Sequence, residues 1–265
     1  MTQPMRKGQA VHRAVWVGVA AALASASQAR RRPAAALAIV ATAALTGVAA
    51  FMPRNPALGR SLGRGPTDTP RAALTFDDGP GPSTPAVLDA LAREGVRATF
   101  FVLGRQVDRH PELVRRIVAE GHQLANHGYD HGILIFRGAR HVGRQLLRTE
   151  QAVERAVGPG AMTRLFRAPH GFRGPMTAIG ARRAGYGMAA WTSGVFDSAD
   201  PGTAVIARRA SRALTPGTIL LLHDADGWAP ERPRAQTAQA LSEICRSARS
   251  RDLELVTLDE LIGAG

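Results

Sequence analysis

The chain has 265 residues, a formal net charge of +13 and a single cysteine, Cys245. Residues 1–71 hold ten Lys or Arg and one acid, Asp68, which gives this segment a charge of +9. Subtracting +9 from +13 leaves +4 for residues 72–265. So small a positive charge is not typical of a nucleic-acid-binding domain. The lone cysteine excludes intramolecular disulfides and thiolate metal clusters, and a sole lysine at Lys7 excludes a Schiff-base or P-loop lysine in the folded part.

The first 52 residues predict a membrane anchor. Residues 14–29 are mostly apolar, three arginines follow, and residues 34–52 carry no charge, which is long enough to span a bilayer. This run exceeds the ~7–15 residues of a signal-peptide core. We therefore expect a retained anchor of one or two helices, at 14–29 and 33–52, in a bacterial cytoplasmic membrane.

The three arginines at 30–32 should stay in the cytoplasm by the positive-inside rule, which places the following domain on the outer side. Basic residues also flank both apolar runs, so a hairpin with both ends inside stays open. Residues 53–70, rich in Pro, Gly and Arg, predict a tether close to the lipid headgroups.

From residue 71 to 263, short apolar runs alternate with helical segments, which is typical of an α/β fold. The first helix begins at Ser83-Thr84-Pro85, a cap followed by a proline, and Gly95 ends it. Strands are predicted at 72–76, 97–104, 122–125, 164–167, 187–191, 217–222 and near 253–256. Helices are predicted at 111–120, 139–157, 175–184, 203–214 and 234–250. About seven parallel strands favour a closed or nearly closed (β/α) barrel, because no Gly-rich phosphate loop follows the first strand.

Polar side chains cluster where these strands end, and in such a barrel the active site lies at the carboxyl ends of the strands. In chain order they are Asp77 and Asp78, His127 and His131, Arg167 and His170, Trp191 and Asp197, and His223.

The adjacent carboxylates of Asp77 and Asp78 repel each other unless a cation shares their site. The alternative is that both are turn formers and helix caps. His127 and His131 are spaced i, i+4, so a helical turn would put both imidazoles on one face, close enough to share a metal. A carboxylate from another loop would complete three ligands, the pattern of a catalytic divalent metal with open positions. Zinc is the first expectation, and this donor set also suits cobalt, manganese or iron.

These segments resemble the motifs of the polysaccharide deacetylase family, the NodB-homology carbohydrate esterases, over about residues 70–262. The first motif is TFDDGP at 75–80. The resemblance implies that Asp77 is a general base and Asp78 a metal ligand. It also implies that His127 and His131 complete the ligand set.

Further along, Arg167 in RAPHG is similar to the arginine that holds the base, and Asp197 occupies the acid position near that arginine. His223 resembles the histidine that acts as general acid. A backbone N–H in the segment Pro169-His170-Gly171 is expected to meet charge on the carbonyl oxygen. Trp191 is expected either in the core or along the substrate groove.

Three residues depart from the family pattern. Gly128 stands where a hydroxyl residue usually follows the first metal histidine, so an orienting hydrogen bond is missing or supplied elsewhere. His170 replaces an aromatic residue and Ser198 a tryptophan, which changes the walls of the groove. We therefore expect metal-dependent hydrolysis to be intact, while the usual sugar-polymer substrate and a different substrate both stay open.

The expected function is hydrolysis of the N-acyl amide of an amino sugar, and acetyl is the first expectation for the acyl group. Cell-envelope glycans and lipid-linked saccharides are the expected substrates, the membrane is an expected partner, and nucleic acid is not. Two alternatives stay open: a catalytically silent carbohydrate-binding or scaffold protein on the same fold, and a hydrolase for a small non-sugar amide. The oligomeric state is left open.

Other polar residues receive structural interpretations. Cys245 lies in a helical pattern and is expected to be half-buried, not nucleophilic. Asp224 and Asp226 either form a turn, the favoured interpretation, or support His223. His122 is expected in a strand. Three arginines are expected on a solvated helix face, with contact to an acidic or phosphorylated substrate as the alternative: Arg137, Arg140 and Arg144.

Overall fold

The computed structural model describes residues 61–263. The predicted anchor region 1–52 and the tether up to residue 60 lie outside these residues. Among the helices found in 61–263, none combines the length and apolar character needed to cross a bilayer.

Nine strands and eight α-helices form this part of the chain. The strands are β1 Ser61–Leu62, β2 Arg71–Asp77, β3 Thr99–Val102, β4 Gln123–Asn126, β5 Met162–Phe166, β6 Gly187–Ala189, β7 Ser193–Gly194, β8 Ile219–His223 and β9 Glu254–Val256. The helices are α1 Thr84–Glu94, α2 Gly104–Arg109, α3 Pro111–Ala119, α4 Ala139–Val157, α5 Pro175–Arg183, α6 Thr203–Ala213, α7 Ala235–Arg249 and α8 Leu258–Ile262. Short 3₁₀ turns occupy Pro169–Gly171 and Asp197–Ala199.

The strands form one parallel sheet in the order β1-β6-β5-β4-β3-β2-β8-β7, with β9 beside the first half of β2. Strand β2 is central and pairs with β3 and β8 on its two sides. In this register Asp77 lies opposite Phe101 on one neighbour and opposite His223 on the other. Parallel pairing therefore brings the polar ends of β2 and β8 to the same edge of the sheet. The predicted parallel α/β architecture is confirmed.

The sheet curls into an incomplete barrel whose two sides are joined by the chain itself. Strand β6 pairs with β5 and β1, whereas β7, which follows after only three connecting residues, pairs with β8 at the other end of the sheet. The connecting residues keep this path through backbone bonds, from Ala190 N–H to Leu62 O and from Thr192 N–H to Ile219 O. Residues 190–192 therefore bridge the two ends of the sheet.

Alternation along β2 sorts its side chains into two layers. Leu74 and Phe76 point outward into the core that the helices cover. Ala73 points into the barrel interior, where Phe101 and Leu258 of α8 pack with it. By the same alternation Thr75 and Asp77 stand above Ala73 on the interior side. The interior is thus apolar toward the amino ends of the strands and polar toward their carboxyl ends.

Most predicted elements occur within a few residues of their expected bounds, and helix 139–157 has the predicted limits. The prediction missed the short elements β1, β7, α2 and α8. The second strand ends at Val102 and not at residue 104, because α2 begins at Gly104.

The expected hydroxyl cap of the first helix is also wrong. Ser83 occupies the cap position, but its hydroxyl accepts a hydrogen bond from Arg234 N–H at 2.6 Å and caps no helix N–H. Pro85 in the first turn and Gly95 in the left-handed region after the last turn are as predicted.

Candidate active site

A cavity of about 260 Å³ opens at the carboxyl ends of the strands. It collects side chains from β2, β8 and the loops that follow β2, β4, β5, β6, β7 and β8. Its lining consists of Asp77, Asp78, His127, His131, His170, Gly171, Trp191, Ser198, Leu221, His223, Asp226, Trp228 and Arg234. Most polar residues predicted from the strand ends are therefore brought to one place.

Three buried donors form a possible divalent-metal site: Asp78, His127 and His131. Their nearest ligand atoms all lie within 4.8 Å of one another. Asp78 Oδ1 is 3.3 Å from Nε2 of His127 and 3.0 Å from Nε2 of His131. Burial alone would raise the pKa of Asp78, but the two imidazoles outweigh it and hold that pKa well below its usual value.

The hydrogen bonds of these residues fit a cation between them. His127 Nδ1 lies 2.8 Å from the carbonyl oxygen of Arg167, which can only accept, so Nδ1 carries a proton and Nε2 is the ring atom that faces Asp78. Asp78 Oδ1, which faces Nε2 of both histidines, is buried without a well-aligned hydrogen-bond donor. A buried carboxylate oxygen in this position costs free energy unless a positive ion satisfies it. The residues present therefore fit a divalent metal.

The loop that carries the two histidines is not helical, so the expected helical turn is wrong. Gly128 and His131 both have positive φ, at 85° and 61°. The loop is held from below by Gln145 of α4, whose Oε1 accepts from the N–H groups of Tyr129 and Asp130. Gln145 Nε2 also donates to the Asp130 carboxylate at 2.9 Å.

Gly128 itself donates its N–H to the Asn126 side chain at 2.9 Å. The orienting contacts that a hydroxyl at 128 would make are thus supplied by other side chains. Sequence analysis missed Gln145; its signal was a polar residue on the buried face of an amphipathic helix.

Asp77 is held by a fully buried arginine. Arg167 Nη1 donates to Asp77 Oδ1 at 2.6 Å and to Thr75 Oγ1 at 2.9 Å, and Nη2 donates to the carbonyl of Ala190 at 2.9 Å. The guanidinium lies 4.0 Å above the ring of Phe101, which fixes its plane. The second carboxylate oxygen, Oδ2, faces the metal site, 3.7 Å from His127 Nε2. Removal of Arg167 would leave Asp77 buried beside Asp78 with its cation gone.

Asp197 pairs with His223 and not with Arg167, which corrects the expectation from the sequence. Its Oδ1 lies 2.8 Å from His223 Nδ1, and its Oδ2 accepts from the His223 backbone N–H at 2.8 Å. The Thr237 hydroxyl adds a third bond, 2.9 Å to Oδ2. Burial would lower the pKa of His223, but the Asp197 carboxylate, with Asp78 and Asp77 nearby, raises it to about 10. His223 is therefore protonated at neutral pH.

The segment Pro169–Gly171 forms a tight 3₁₀ turn at the rim of the cavity, with His170 at φ 60°. Proline has no N–H, and the Gly171 N–H is bonded to the Ala168 carbonyl at 3.0 Å. The His170 N–H is the remaining member of the expected oxyanion-binding set. Trp191 both lines the cavity and packs against the apolar barrel interior, so the two alternatives for this residue are both realised.

An aromatic wall that the sequence did not reveal covers one side of the metal site. The Trp228 ring stacks on His170, with centroids 5.0 Å apart and 24° between planes, and 71% of Trp228 is exposed. Burial, together with the nearby His131, lowers the pKa of His170 to about 4, so this ring is neutral. An exposed indole stacked on a neutral aromatic ring offers a flat apolar contact surface beside the candidate metal site.

The loop after β8 positions this wall. The Gly227 N–H donates to Asp78 Oδ2 at 3.0 Å, and a side chain at 227 would overlap the His131 ring, since an added Cβ would lie 2.3 Å from Nδ1. Asp226 accepts from the N–H groups of Trp228 and Ala229, and forms a buried ion pair with Arg234 at 2.6 Å. The favoured turn interpretation thus holds for Asp226.

Asp224 is not a simple turn residue. It is fully buried, accepts from the Thr84 hydroxyl at 2.5 Å, and lies against Gly79, where an added Cβ would sit 2.1 Å from Oδ2. Burial raises its pKa to about 7. Neither Asp224 nor Asp226 supports His223, because Asp197 fills that place.

Two residues expected to be structural lie away from the cavity. Cys245 is fully buried, more deeply than expected, and burial raises the pKa of its thiol to about 12, so it is not a nucleophile. His122 is buried just before β4, where its Nδ1 accepts from Ala98 N–H.

The chain is similar in sequence to proteins that deacetylate N-acetylated sugars. The family model described as polysaccharide deacetylase matches residues 64–189. The chitooligosaccharide deacetylase of Sinorhizobium fredii is 37% identical over 209 residues, covering 76% of this chain and 96% of that protein. The peptidoglycan-N-acetylglucosamine deacetylase PgdA of Listeria monocytogenes is 36% identical over 194 residues, covering 73% of this chain and 39% of that larger protein.

The fold is shared with a solved structure as well. A peptidoglycan N-acetylglucosamine deacetylase, crystallised in complex with an N-hydroxybenzamide, superposes with a TM-score of 0.70 at 28% identity. The alignment covers 76% of this chain and 92% of that one.

Proposed function

This chain belongs to the polysaccharide deacetylase family, hydrolases that act on carbon–nitrogen bonds other than peptide bonds, and from that premise we propose that it removes the N-acetyl group of an amino sugar. The observation that carries the proposal is the cavity in which Asp77 and His223, register partners on β2 and β8, lie beside a buried Asp-His-His cluster. An amide is a poor electrophile, so its hydrolysis needs an activated water, a base and an acid. The cavity holds a candidate for each.

Asp78, His127 and His131 would hold a divalent metal, and we propose zinc. When bound, such an ion supplies Lewis-acid polarisation of the amide carbonyl and lowers the pKa of water. The chain itself fixes the ligand geometry, through the Arg167 carbonyl on His127 and the Gly227 N–H on Asp78.

Asp77 is the proposed general base. The ion pair with Arg167 fixes Oδ1, which leaves Oδ2 directed at the cavity to accept a proton from the attacking water. Arg167 keeps its own proton at physiological pH, and its guanidinium binds Oδ1 of Asp77 at 2.6 Å. The base is therefore held in one orientation before substrate arrives.

His223 is the proposed general acid. It is protonated at neutral pH because Asp197 stabilises the imidazolium, and its Nε2 is the ring atom left to donate to the leaving nitrogen. The His170 N–H is placed to stabilise negative charge on the carbonyl oxygen as the tetrahedral carbon forms. The leaving amine carries away the proton that His223 gives, and Asp77 holds the proton taken from water.

For the substrate, we propose an N-acetylated amino sugar in a cell-envelope glycan or a lipid-linked saccharide. The named relatives, which act on chitooligosaccharides and peptidoglycan, support the first. The apolar run at 34–52 supports attachment to the cytoplasmic membrane, with the catalytic domain on its outer side. A substrate held at that surface would suit an attached enzyme.

The test uses the full chain carrying Asp77→Asn, with Asp252→Asn as a matched control on an exposed residue. We expect Asp77→Asn to lower kcat by about 10²–10⁴ while bound zinc, measured by elemental analysis, stays at the wild-type level. Acetate release would be followed on chitooligosaccharides, peptidoglycan fragments and a lipid-linked acetamido sugar.

Wild-type protein that binds metal yet turns over none of these would favour the silent carbohydrate-binding alternative. Undiminished turnover of Asp77→Asn would refute the assigned base. Faster acetate release from soluble chitooligosaccharides than from any lipid-linked sugar would exclude a lipid-linked saccharide as the substrate.

A further inference from the structure

A second concave surface lies outside the active site, between α4 and α5. Its floor is apolar and its rim is basic. It is lined by Ala139, Arg140, Gly143, Arg144, Leu147 and Arg183, with Gly180 and Ala184 beneath. We call this surface the α4/α5 groove.

The groove exists because small residues let the two helices approach closely. An added Cβ on Gly180 would lie 2.6 Å from the Ala139 carbonyl and 2.7 Å from Val142 Cβ. No large side chain can therefore fill the space above the contact, and a trough remains between the helices. Leu147, 47% exposed, forms part of its wall.

The arginines of this region have no acid to pair with. No Asp or Glu occurs between Asp130 and Glu150, or between Glu154 and Asp197. Four exposed arginines there, Arg137, Arg140, Arg144 and Arg183, form no ion pair with any carboxylate of residues 61–263. Other arginines of the domain do form ion pairs, as in Arg155 with Asp108 and Arg164 with Glu150.

A large apolar side chain projects beside these charges. Phe136 is 86% exposed in the loop that leads into α4, next to Arg137 and three residues before the groove begins at Ala139. The same loop packs against the residue that precedes α5, since Ile135 Cγ1 lies 3.2 Å from the position that a Cβ at Gly174 would occupy. Met176, 44% exposed, lies in the first turn of α5. Exposed aromatic and aliphatic groups among unpaired arginines are a pattern of interfacial binding.

We propose that the α4/α5 groove and Phe136 dock on the surface of an anionic lipid bilayer. The arginines meet phosphate headgroups, while Phe136 and the apolar floor of the groove enter the boundary with the acyl chains. Nucleic acid would satisfy the arginines but would leave Phe136 and the floor in water, so the combination favours lipid.

Docking here also orients the enzyme. The loop that carries Phe136 begins directly after His131 of the metal site. The lipid surface would therefore lie close to the mouth of the active-site cavity. Lipid docking goes beyond the proposed deacetylation, and it can be tested whether or not the protein is a deacetylase.

The experiment uses the full chain with Phe136→Cys, labelled with an environment-sensitive fluorophore. Cys245 is fully buried, so the new thiol is the reactive one. We expect a blue shift of emission with phosphatidylcholine vesicles that contain 30% phosphatidylglycerol, and none with pure phosphatidylcholine. The local readout is independent of how residues 1–52 associate with the vesicles.

Two comparisons make the result specific. A second label at exposed Ser250, near the end of α7, should show no shift with either vesicle. The triple variant Arg140→Gln, Arg144→Gln, Arg183→Gln should lose the shift at position 136 while keeping wild-type acetate release from a soluble substrate. Each arginine removed should weaken binding about fivefold.

The proposal is overturned if the label at 136 stays in water with anionic vesicles, or if the triple variant retains the full shift. A shift produced by duplex DNA at equal phosphate concentration, but not by vesicles, would assign the surface to nucleic acid. A shift that appears with protein concentration alone would assign it to a second copy of the chain.

Discussion

At the scale of single residues, the pKa of the proposed acid, His223, depends on the residues that hydrogen-bond to it and to its partner Asp197. Asp197 is buried and accepts three hydrogen bonds, two from His223 and one from Thr237. Burial would raise the pKa of Asp197, but His223 and Thr237 outweigh burial and lower it. Thr237 therefore acts on the chemistry only through Asp197, as a positioning residue.

Thr237→Val should reduce kcat/KM about tenfold, because loss of one buried hydrogen bond to a carboxylate costs about 1.5 kcal/mol and frees Asp197 to rotate. Thr237→Ser keeps the hydroxyl and should restore most of the activity. Steady-state kinetics would be compared across pH, since a purely structural effect would not change the profile. Equal losses in Val and Ser variants would contradict the assignment.

The pair of His223 with Asp197 also makes stability depend on pH. The folded pKa of His223, about 10, lies above its ordinary value of 6.5. The stabilisation is therefore complete below about pH 6.5 and disappears as pH rises through about 10. In metal-free protein the free energy of unfolding should fall over that window, by at most about 1.4 kcal/mol per pH unit.

Denaturant titrations at several pH values would measure this fall, with Asp197→Asn as the comparison. The variant should be less stable at pH 7 and should show a much smaller decline, because its His223 has lost the carboxylate that contributes most to holding the proton. A parallel decline in both proteins would show that other groups cause it.

At the scale of elements, helix α4 supports the metal-binding loop with one face and forms the basic groove with the other. Its buried face places Gln145 under the loop between His127 and His131, where one amide oxygen accepts two backbone N–H groups. The metal site is thus held from a helix that contributes no ligand.

Gln145→Met should weaken metal binding by about 10–100-fold, because the loop loses its three bonds while helix and volume are kept. Gln151→Met, an exposed position on the same helix, is the control and should bind metal normally. Metal affinity would be measured by competition with a chelator of known strength. Unchanged affinity in Gln145→Met would show that the loop is held without α4.

Local sequence patterns predicted the strands and helices whose structure is determined by neighbouring residues. The strand that ends on Asp77 and Asp78, and helix 139–157 with its apolar periodicity, are set by neighbouring residues, and both occur where expected. The hydrogen-bond partner of Asp197 could not be predicted from local sequence patterns. His223 is 26 residues further on, and which of two buried cations an acid meets depends on how β8 lies beside β2.

The loop after β8 escaped prediction for the same reason. Gly227 is a ligand-orienting residue only because its backbone reaches Asp78, 149 positions away. The stack of Trp228 on His170 likewise joins two loops that no periodicity connects. These contacts depend on how the barrel closes. The sequence predicted the class of fold, but it could not predict which loops come into contact.

At the scale of the whole molecule, the metal site should contribute to stability as well as to chemistry. Its donors come from the end of β2 and the loop after β4, so a bound ion ties the two segments together. An ion that binds only the folded state adds about 4 kcal/mol at a thousandfold excess over Kd.

Removal of metal by a chelator should abolish acetate release and lower Tm, and zinc should restore both. Asp78→Asn should make Tm nearly independent of the chelator, because the only anionic ligand of the cluster is lost. Calorimetry with and without chelator gives the comparison. A wild-type Tm that ignores chelation would contradict a metal held by Asp78, His127 and His131.

The two strands that end the sheet also bear on how the folded domain behaves among copies of itself. A parallel sheet of nine strands ordinarily leaves two long rows of unpaired backbone groups, on which another chain can add a strand. Here the outermost strands, β1 and β7, are each two residues long, and the chain turns from one end of the sheet to the other through residues 190–192. Within residues 61–263 a neighbouring molecule therefore finds little exposed edge to extend. A high local concentration would therefore not drive this domain into edge-to-edge aggregates.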